Sequence, residues 1–308
     1  MTYNSTINSL TNKLAKINSL QIAEHKILAK YASFKIGGPA DLFLTPENIT
    51  AVRKILPLIA ESKLPYFVLG KGSNLIISDL GYRGIIIYTG KLNNYQIKEN
   101  SIIAETGLEL KDIAEIAYQN SLTGLEFAGG IPGSLGGALY MNAGAYGGEM
   151  KDVIQSAELV DETGEAQNLK LQQLKLSYRN SLLQQQEKNW LAVKVTLQLK
   201  TGKKTAIKTK MEDLQQRRWS KQPLEFPSAG SIFKRPAGYY TGPLIEKAGL
   251  KGFQIGGAQV SKKHAGFIIN TGSATAADVI NLINKIKQEV YKISGVQLEI
   301  EPRLLGEF

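Results

Sequence analysis

GLEFAGGIPGSLGGALYMNAGAYGG, residues Gly124 to Gly148, is the stretch on which the rest of the chain turns. Nine of its 25 residues are glycine, where average usage of roughly 7% would place about two. Glycine loses more backbone freedom on folding than any other residue, so a fold that keeps this many must need them. The need is positive φ, close approach of backbone to a ligand, or close approach of backbone to backbone. The run Gly130-Ile131-Pro132-Gly133-Ser134-Leu135-Gly136-Gly137 is able to turn sharply and present a row of bare N–H groups. Such a nest suits an anion, most obviously a cofactor's pyrophosphate. Tyr140, Met141 and Asn142 follow, then Ala143-Gly144-Ala145-Tyr146-Gly147. Small residues alternating with single large or polar ones read as a wall against which a flat ring can lie. A tight turn between packed elements is the alternative.

Working outward, Pro65 to Leu69 reads as a short buried strand that ends in Gly70-Lys71-Gly72-Ser73-Asn74. A dinucleotide fingerprint would need glycine where Leu75 stands and a helix starting there, so that fold is not supported, and the Walker pattern is absent. A glycine loop after a strand still offers N–H groups to phosphate. Ile7, Leu10, Leu14 and Ile17 predict a helix over 4–20, and further helices are expected over 47–61, 109–120, 205–218 and from Thr275 onward. Strands are expected at 41–44, 84–88, 101–105, 191–199 and 296–300, with a hairpin about Asp161-Glu162-Thr163-Gly164.

The chain has 308 residues, 43% hydrophobic and 21% charged, the composition of an ordinary soluble globular protein. No apolar run reaches the roughly 18 residues of a membrane span, and the first twenty residues hold no apolar signal core. Cysteine is absent, which removes disulfides, thiolate metal sites and cysteine nucleophiles, and the chain reads as cytosolic. A net charge of +10 steers anionic partners. The lysines are spread evenly, without a basic tail or a basic-aromatic block, which argues for phosphorylated small molecules over nucleic acid. His264 beside an apolar run reads as structural or exposed rather than catalytic, and two histidines cannot build a metal site alone.

Six motifs in order, SFKIGGPAD, LGKGSNLIISD, GLEFAGGIPGSLGGALYMNAGAYGGE, SYRNS, PSAGSIFKRP and GVQLEIEPRLLG, run from about residue 31 to 306. Together they resemble the UDP-N-acetylenolpyruvoylglucosamine reductases of bacterial peptidoglycan synthesis, the MurB proteins. SYRNS is followed closely by the strand LAVKVTLQL, so the chain looks like the shorter type, without an inserted tyrosine loop. It departs from the family at Tyr31-Ala32, where His-Thr or Asn-Thr is frequent, and at LEIEP, where many members read LEPEV.

The resemblance implies an α+β, three-domain flavoprotein of the vanillyl-alcohol-oxidase (PCMH-type) FAD-binding class, with a C-terminal α+β substrate domain. Its expected divisions are 1–92, joined by 302–308, then 93–212, then 213–301. It implies FAD held non-covalently, NADPH as co-substrate, and a UDP-sugar substrate whose enolpyruvyl ether is reduced in cell-wall precursor synthesis, on which cell shape and division depend. The FAD contacts it implies are Gly70, Lys71, Gly72, Ser73 and Asn74, Gly130, Ile131, Pro132 and Gly133, Gly136 and Gly137, and Asn142, Ala143, Gly144 and Ala145. Reducing an alkene conjugated to a carboxylate requires charge stabilisation at the carboxylate and an acid on the proton's side. The resemblance assigns the first to Arg179 and a protonated Glu301, and the second to Ser231. It places Lys221, with Arg218, at the substrate diphosphate and Tyr178 among the substrate contacts, and it implies no metal, no nucleic-acid partner, no membrane insertion and a monomer. An oxidoreductase of other specificity on the same fold, and a basic binding protein without flavin, are the competing readings.

Overall fold

The glycine-rich stretch is not one continuous turn. In the computed structural model, which describes residues 2–185 and 189–308, it turns up to Ser134, is helical over Leu135–Met141 and ends in a short hairpin. The chain forms two compact units. The first comprises Met1–Glu24, Leu42–Lys71 and Gly84–Gln216, and the second His25–Asp41, Gly72–Arg83 and Arg217–Phe308.

The first unit begins with α1 (Tyr3–Leu14), capped by the Thr2 hydroxyl on the Ser5 N–H. It buries Ile7, Leu10 and Leu14 against α2 (Ile49–Ser62), whose Val52, Ile55, Leu56 and Ile59 supply the facing stripe. The helix expected over 4–20 therefore stops early. Ile17 still packs on that core from outside the helix, which is why its periodicity ran on past the helix end. Strand Tyr66–Leu69 pairs in parallel with Tyr82–Tyr88, Leu69 lying opposite Tyr88, and so delivers Gly70 to the sheet's end. A second, antiparallel sheet of five strands has Ile154–Val160 paired with both Ala166–Lys170 and Leu191–Gln198, the latter pairing in turn with Ser101–Glu105 and that with Tyr95–Lys98. Helix α3 (Leu110–Gln119) and α4 (Leu135–Met141) cover this sheet with Leu110, Ile113, Ala117, Leu135 and Leu139. Helix α5 (Lys204–Lys221) is polar and buries only Ile207 fully.

The second unit is built on an antiparallel sheet of Ser228–Ser231, Phe267–Asn270, Ala258–Val260 and Gln254–Ile255. It is packed by α6 (Thr241–Lys247) and α7 (Ala276–Ser294) through Leu244, Ile245, Val279, Ile283, Ile286 and Val290. A Thr275–Asp278 capping box starts α7, as its sequence predicts, and Gly295 at φ +67° ends it. The Asp79 carboxylate takes the Ala276 and Ala277 N–H groups at the same helix end, at 2.8 and 3.2 Å. Ile293, which continues the 3–4-residue apolar spacing of Val279, Ile283, Ile286 and Val290, is nevertheless exposed. The strand expected at 296–300 reduces to one bridge, Phe233 to Ile300, and the last strand is Arg303–Leu305, parallel to Leu75–Ile77.

Candidate active site

In the first unit the two glycine loops meet. A Cβ on Gly70 would lie 2.2 Å from the Ser134 hydroxyl, so the loop after Leu69 sits directly on the glycine-rich turn. Lys71 forms an ion pair with Glu109, and Glu109 bridges Ser134 in a short antiparallel contact. Burial alone would raise the Glu109 carboxyl, but Lys71 and Lys111 together hold it below its ordinary value. The expected row of bare N–H groups is shorter than the sequence suggests. Gly136 and Gly137 lie in the first turn of α4, where N–H groups lack intrahelical partners, but the Ser134 hydroxyl takes the Gly137 N–H and the Thr106 carbonyl takes the Gly136 N–H at 2.8 Å. The N–H groups of Lys71, Gly130, Gly133 and Ser134 donate no hydrogen bond among the described residues. Donors left over at the mouth of a glycine turn and beside a helix N-terminus are a set that fits a diphosphate.

Asn142 ends α4 at φ +41° and is fully buried. Its side chain is engaged within the protein: it donates to Glu149 (2.6 Å) and to the Ser177 carbonyl (3.1 Å), and accepts from the Lys151 N–H (2.9 Å). Ala143 accepts from the Met150 N–H, and Gly144 and Ala145 pair with Glu149 and Gly148 as a small hairpin. The ring-facing wall is thus a folded-back ribbon. Its link to Ser177 brings it to the SYRNS loop, where Ser177 and Asn180 exchange two backbone hydrogen bonds of 3.1 Å around Tyr178 and Arg179. Arg179 has φ +54°, and its guanidinium stands 5.0 Å from the centre of the exposed Tyr178 ring.

In the second unit, Asn74, Ser231 and Glu301 come together. Ser228 pairs with Ile269 and Ser231 with Phe267, so three steps on one strand face two on the other. The extra residue is a β-bulge at Gly230, φ +76°, a conformation that glycine adopts without strain, and a bulge of this kind re-aims the side chain that follows it. Ser231 is exposed, and its hydroxyl has no hydrogen-bond partner among the described residues. Next to it, the Ile232 carbonyl accepts the Glu301 N–H at 2.9 Å, and the Glu301 carbonyl accepts the Asn74 amide at 3.3 Å. The Asn74 carbonyl in turn accepts the Arg303 N–H at 3.0 Å. The N–H groups of Gly72, Ser73 and Asn74 donate to nothing among the described residues, so this loop also offers donors. Lys221 is exposed and has no ion-pair partner among the described residues, with Arg218 three residues earlier on the same face of α5.

His264 is structural. Its Nδ1 accepts the Gly266 N–H at 3.0 Å, its ring meets Phe267 edge-on at 5.1 Å, and burial lowers its pKa. The turn it braces supplies the Gly266 carbonyl that receives the Ile232 N–H, one residue beyond Ser231. Among the described residues no group of acidic, cysteine or histidine side chains is arranged to hold a metal. Sequence reasoning passed over Glu126, which is buried and anchors the start of the glycine stretch. It accepts from Thr123, from the Gly124 N–H at 3.1 Å and from Lys210 at 3.3 Å. The signal was present as an acidic residue inside an otherwise apolar run.

Two glycine loops with free donors, one at a strand's end and one before a helix, together with a match of residues 40–170 to the FAD binding domain, define the class as an FAD-binding protein. Residues 222–305 match the C-terminal domain of UDP-N-acetylenolpyruvoylglucosamine reductase. The chain belongs to the UDP-N-acetylenolpyruvoylglucosamine reductase family. It is 50% identical to the reductase of Caldanaerobacter subterraneus over 280 residues, 91% of this chain and 92% of that one. It is 47% identical to that of Pediococcus pentosaceus, over 94% and 95% of the two chains. The crystal structure of the Thermus caldophilus enzyme superimposes with a TM-score of 0.81 at 32% identity, covering 93% of this chain and 99% of that one.

Proposed function

We propose that the chain reduces the enolpyruvyl ether of UDP-N-acetylglucosamine enolpyruvate to the lactyl ether of UDP-N-acetylmuramate, a step of peptidoglycan precursor synthesis. The chemistry a bound FAD would supply is hydride transfer from NADPH to the terminal alkene carbon. The residues of the chain have three tasks. Gly70 to Asn74 and Gly130, Gly133 and Ser134 hold the diphosphate through main-chain donors, Ile131 being bonded to the Ala128 carbonyl and Pro132 having no N–H. Arg179 and Glu301 bind the carboxylate conjugated to the alkene and stabilise the charge it gains. Ser231 delivers a proton to the carbon next to the ether oxygen. Lys221 and Arg218 bind the substrate diphosphate, and Tyr178 contacts the substrate.

The observation that carries this reading is the bulge at Gly230, which turns an exposed, unpartnered serine hydroxyl out of a strand whose next carbonyl holds Glu301. A serine is a weak acid, and its competence rests on the charge that accumulates on the substrate. Residues 1–92 with 302–308, 93–212 and 213–301 are the proposed divisions, and the pairing of Arg303–Leu305 with Leu75–Ile77 supports the return of the last segment. No helix among the described residues is long and apolar enough to cross a membrane, and a monomer in the cytosol is the proposed working state.

The test separates two half-reactions by stopped-flow absorbance. In Ser231→Ala, flavin bleaching by NADPH proceeds near the wild-type rate, because it requires no proton at the enolpyruvyl carbon. Reoxidation by substrate falls by about 10²–10⁴. Reoxidation at the wild-type rate removes Ser231 from the mechanism.

A further inference from the structure

The last turn of a helix leaves carbonyls without intrahelical donors. In α4 the Ala138 and Leu139 carbonyls are taken by the Asn142 and Ala143 N–H groups, and Tyr140 carries the next one. Two side chains from the segment after SYRNS reach it: the Ser181 hydroxyl at 2.7 Å and the Gln184 amide, also at 2.7 Å. The Gln184 nitrogen has a second proton, and it goes to the Arg179 carbonyl at 3.0 Å. One amide thus ties the peptide of Arg179 to the end of the helix that opens at the glycine turn.

Arg179 needs such a tie. It is the third residue of a four-residue turn and has positive φ, a place that glycine or asparagine ordinarily takes. A residue with a Cβ is strained there, and such conformations persist where the surroundings over-determine them. The surroundings here are specific: Asn142 holds Ser177, Ser181 holds Tyr140, and Gln184 bridges Tyr140 and Arg179.

We infer that Gln184 is a positioning residue for the reaction. By fixing the Arg179 peptide in the left-handed conformation against the carboxyl end of α4, it sets where the guanidinium meets the substrate carboxylate. This rests on the proposed role of Arg179. A displacement of about 1 Å at such a group is worth on the order of 10² in rate.

Gln184→Met removes both donors and keeps the length of the side chain, which also lies 3.9 Å from the Met141 sulfur. Its FAD content and flavin reduction by NADPH stay at wild-type levels, and its melting temperature falls by no more than about 5 °C. Reoxidation by UDP-N-acetylglucosamine enolpyruvate slows 10- to 100-fold, and the flavin absorbance change on binding substrate without NADPH needs a higher substrate concentration. Gln184→Glu repeats the loss at neutral pH in a side chain of the same shape. In an Arg179→Ala background, Gln184→Met has no further effect. Loss of FAD, or equal slowing of both half-reactions in both variants, marks a merely structural role and overturns the inference. So does wild-type reoxidation in Gln184→Met while Arg179→Ala is blocked, or an effect that multiplies with Arg179→Ala. Wild-type reoxidation in Arg179→Ala instead overturns the role of Arg179 itself, and the inference with it.

Discussion

Glu126→Gln changes one atom of a buried side chain and tests how the glycine stretch is anchored. One carboxylate oxygen accepts the Thr123 hydroxyl, and the other accepts the Gly124 N–H at 3.1 Å and Lys210 at 3.3 Å. In the variant the retained oxygen keeps Thr123, but the new NH₂ faces two donors. Losing a charge-assisted bond and setting donor against donor costs about 2–3 kcal/mol, which lowers the melting temperature by roughly 3–5 °C at this chain length. Burial by itself would raise the Glu126 carboxyl. The bonds from Thr123, its own and Gly124's N–H, and the Lys210 charge outweigh burial and hold it below its ordinary value of 4.5. A depressed carboxyl stabilises the fold above the unfolded-state pKa and loses that contribution as pH falls through the folded-state value. The gap between wild type and variant is therefore full at pH 7 and narrows as the pH drops below 4.5. Urea unfolding of the FAD-loaded protein at several pH values measures it. A gap that is the same at pH 7 and at the acid end, or under about 0.5 kcal/mol throughout, refutes the reasoning.

On the proposed role of Lys221, Lys221→Glu turns an attraction for the substrate diphosphate into a repulsion and raises the substrate KM at least tenfold, with flavin reduction by NADPH little changed; a KM within twofold of wild type makes Lys221 a solvated helix-end charge. Acid precipitation releases all of the yellow colour as FAD, since the chain has no cysteine and the loops no histidine to tether it, and colour left on the pellet contradicts this. Gly230→Ala meets no neighbouring atom within 4 Å, so its cost is conformational, about 1–2 kcal/mol at φ +76°. Its calorimetric melting point falls by a few degrees while FAD binding is retained, and an unchanged melting point shows that the bulge does not require glycine.

How much of this was legible in the sequence depended on what fixed each element. Helices with their own caps and apolar stripes, such as Ala276–Ser294 with Thr275 and Asp278, were readable because the information is local. So was the hairpin around Asp161 to Gly164, where pairing needs only a turn. Helix Leu135–Met141 was not, because two glycines in its first turn oppose it; the Ser134 cap and the burial of Leu135, Ala138 and Leu139 sustain it. Strand Leu20–Ile27 carries His25 and Lys26 and shows no clean alternation, so it too was missed. In the site, motif order named Ser231, Arg179 and Glu301, but the bulge behind Ser231 is a matter of register with Phe267–Asn270, which no single strand encodes. Gln184 lies beyond every motif, and its part emerges only when the end of a helix comes within reach.

The second unit draws on three separate lengths of chain, and this orders events in time. Leu75–Ile77 finds its parallel neighbour at Arg303–Leu305, more than two hundred residues later, and Phe34, Ile36 and Ile76 enter a core made mostly of residues after 228. As the chain leaves a ribosome, the residues that build the first unit are nearly all present once Gln216 has emerged. Segments 25–41 and 72–83 hydrogen-bond to each other, as at Gly38 and Ser78, but must then wait with Phe34, Ile36 and Ile76 lacking the rest of their core while the last ninety-odd residues are made. At 5–20 residues per second that interval is roughly 5–20 s. During it, those two segments are where a chaperone has something to hold. A stop codon a few residues before Arg303 would leave the strand Leu75–Ile77 without its partner for good.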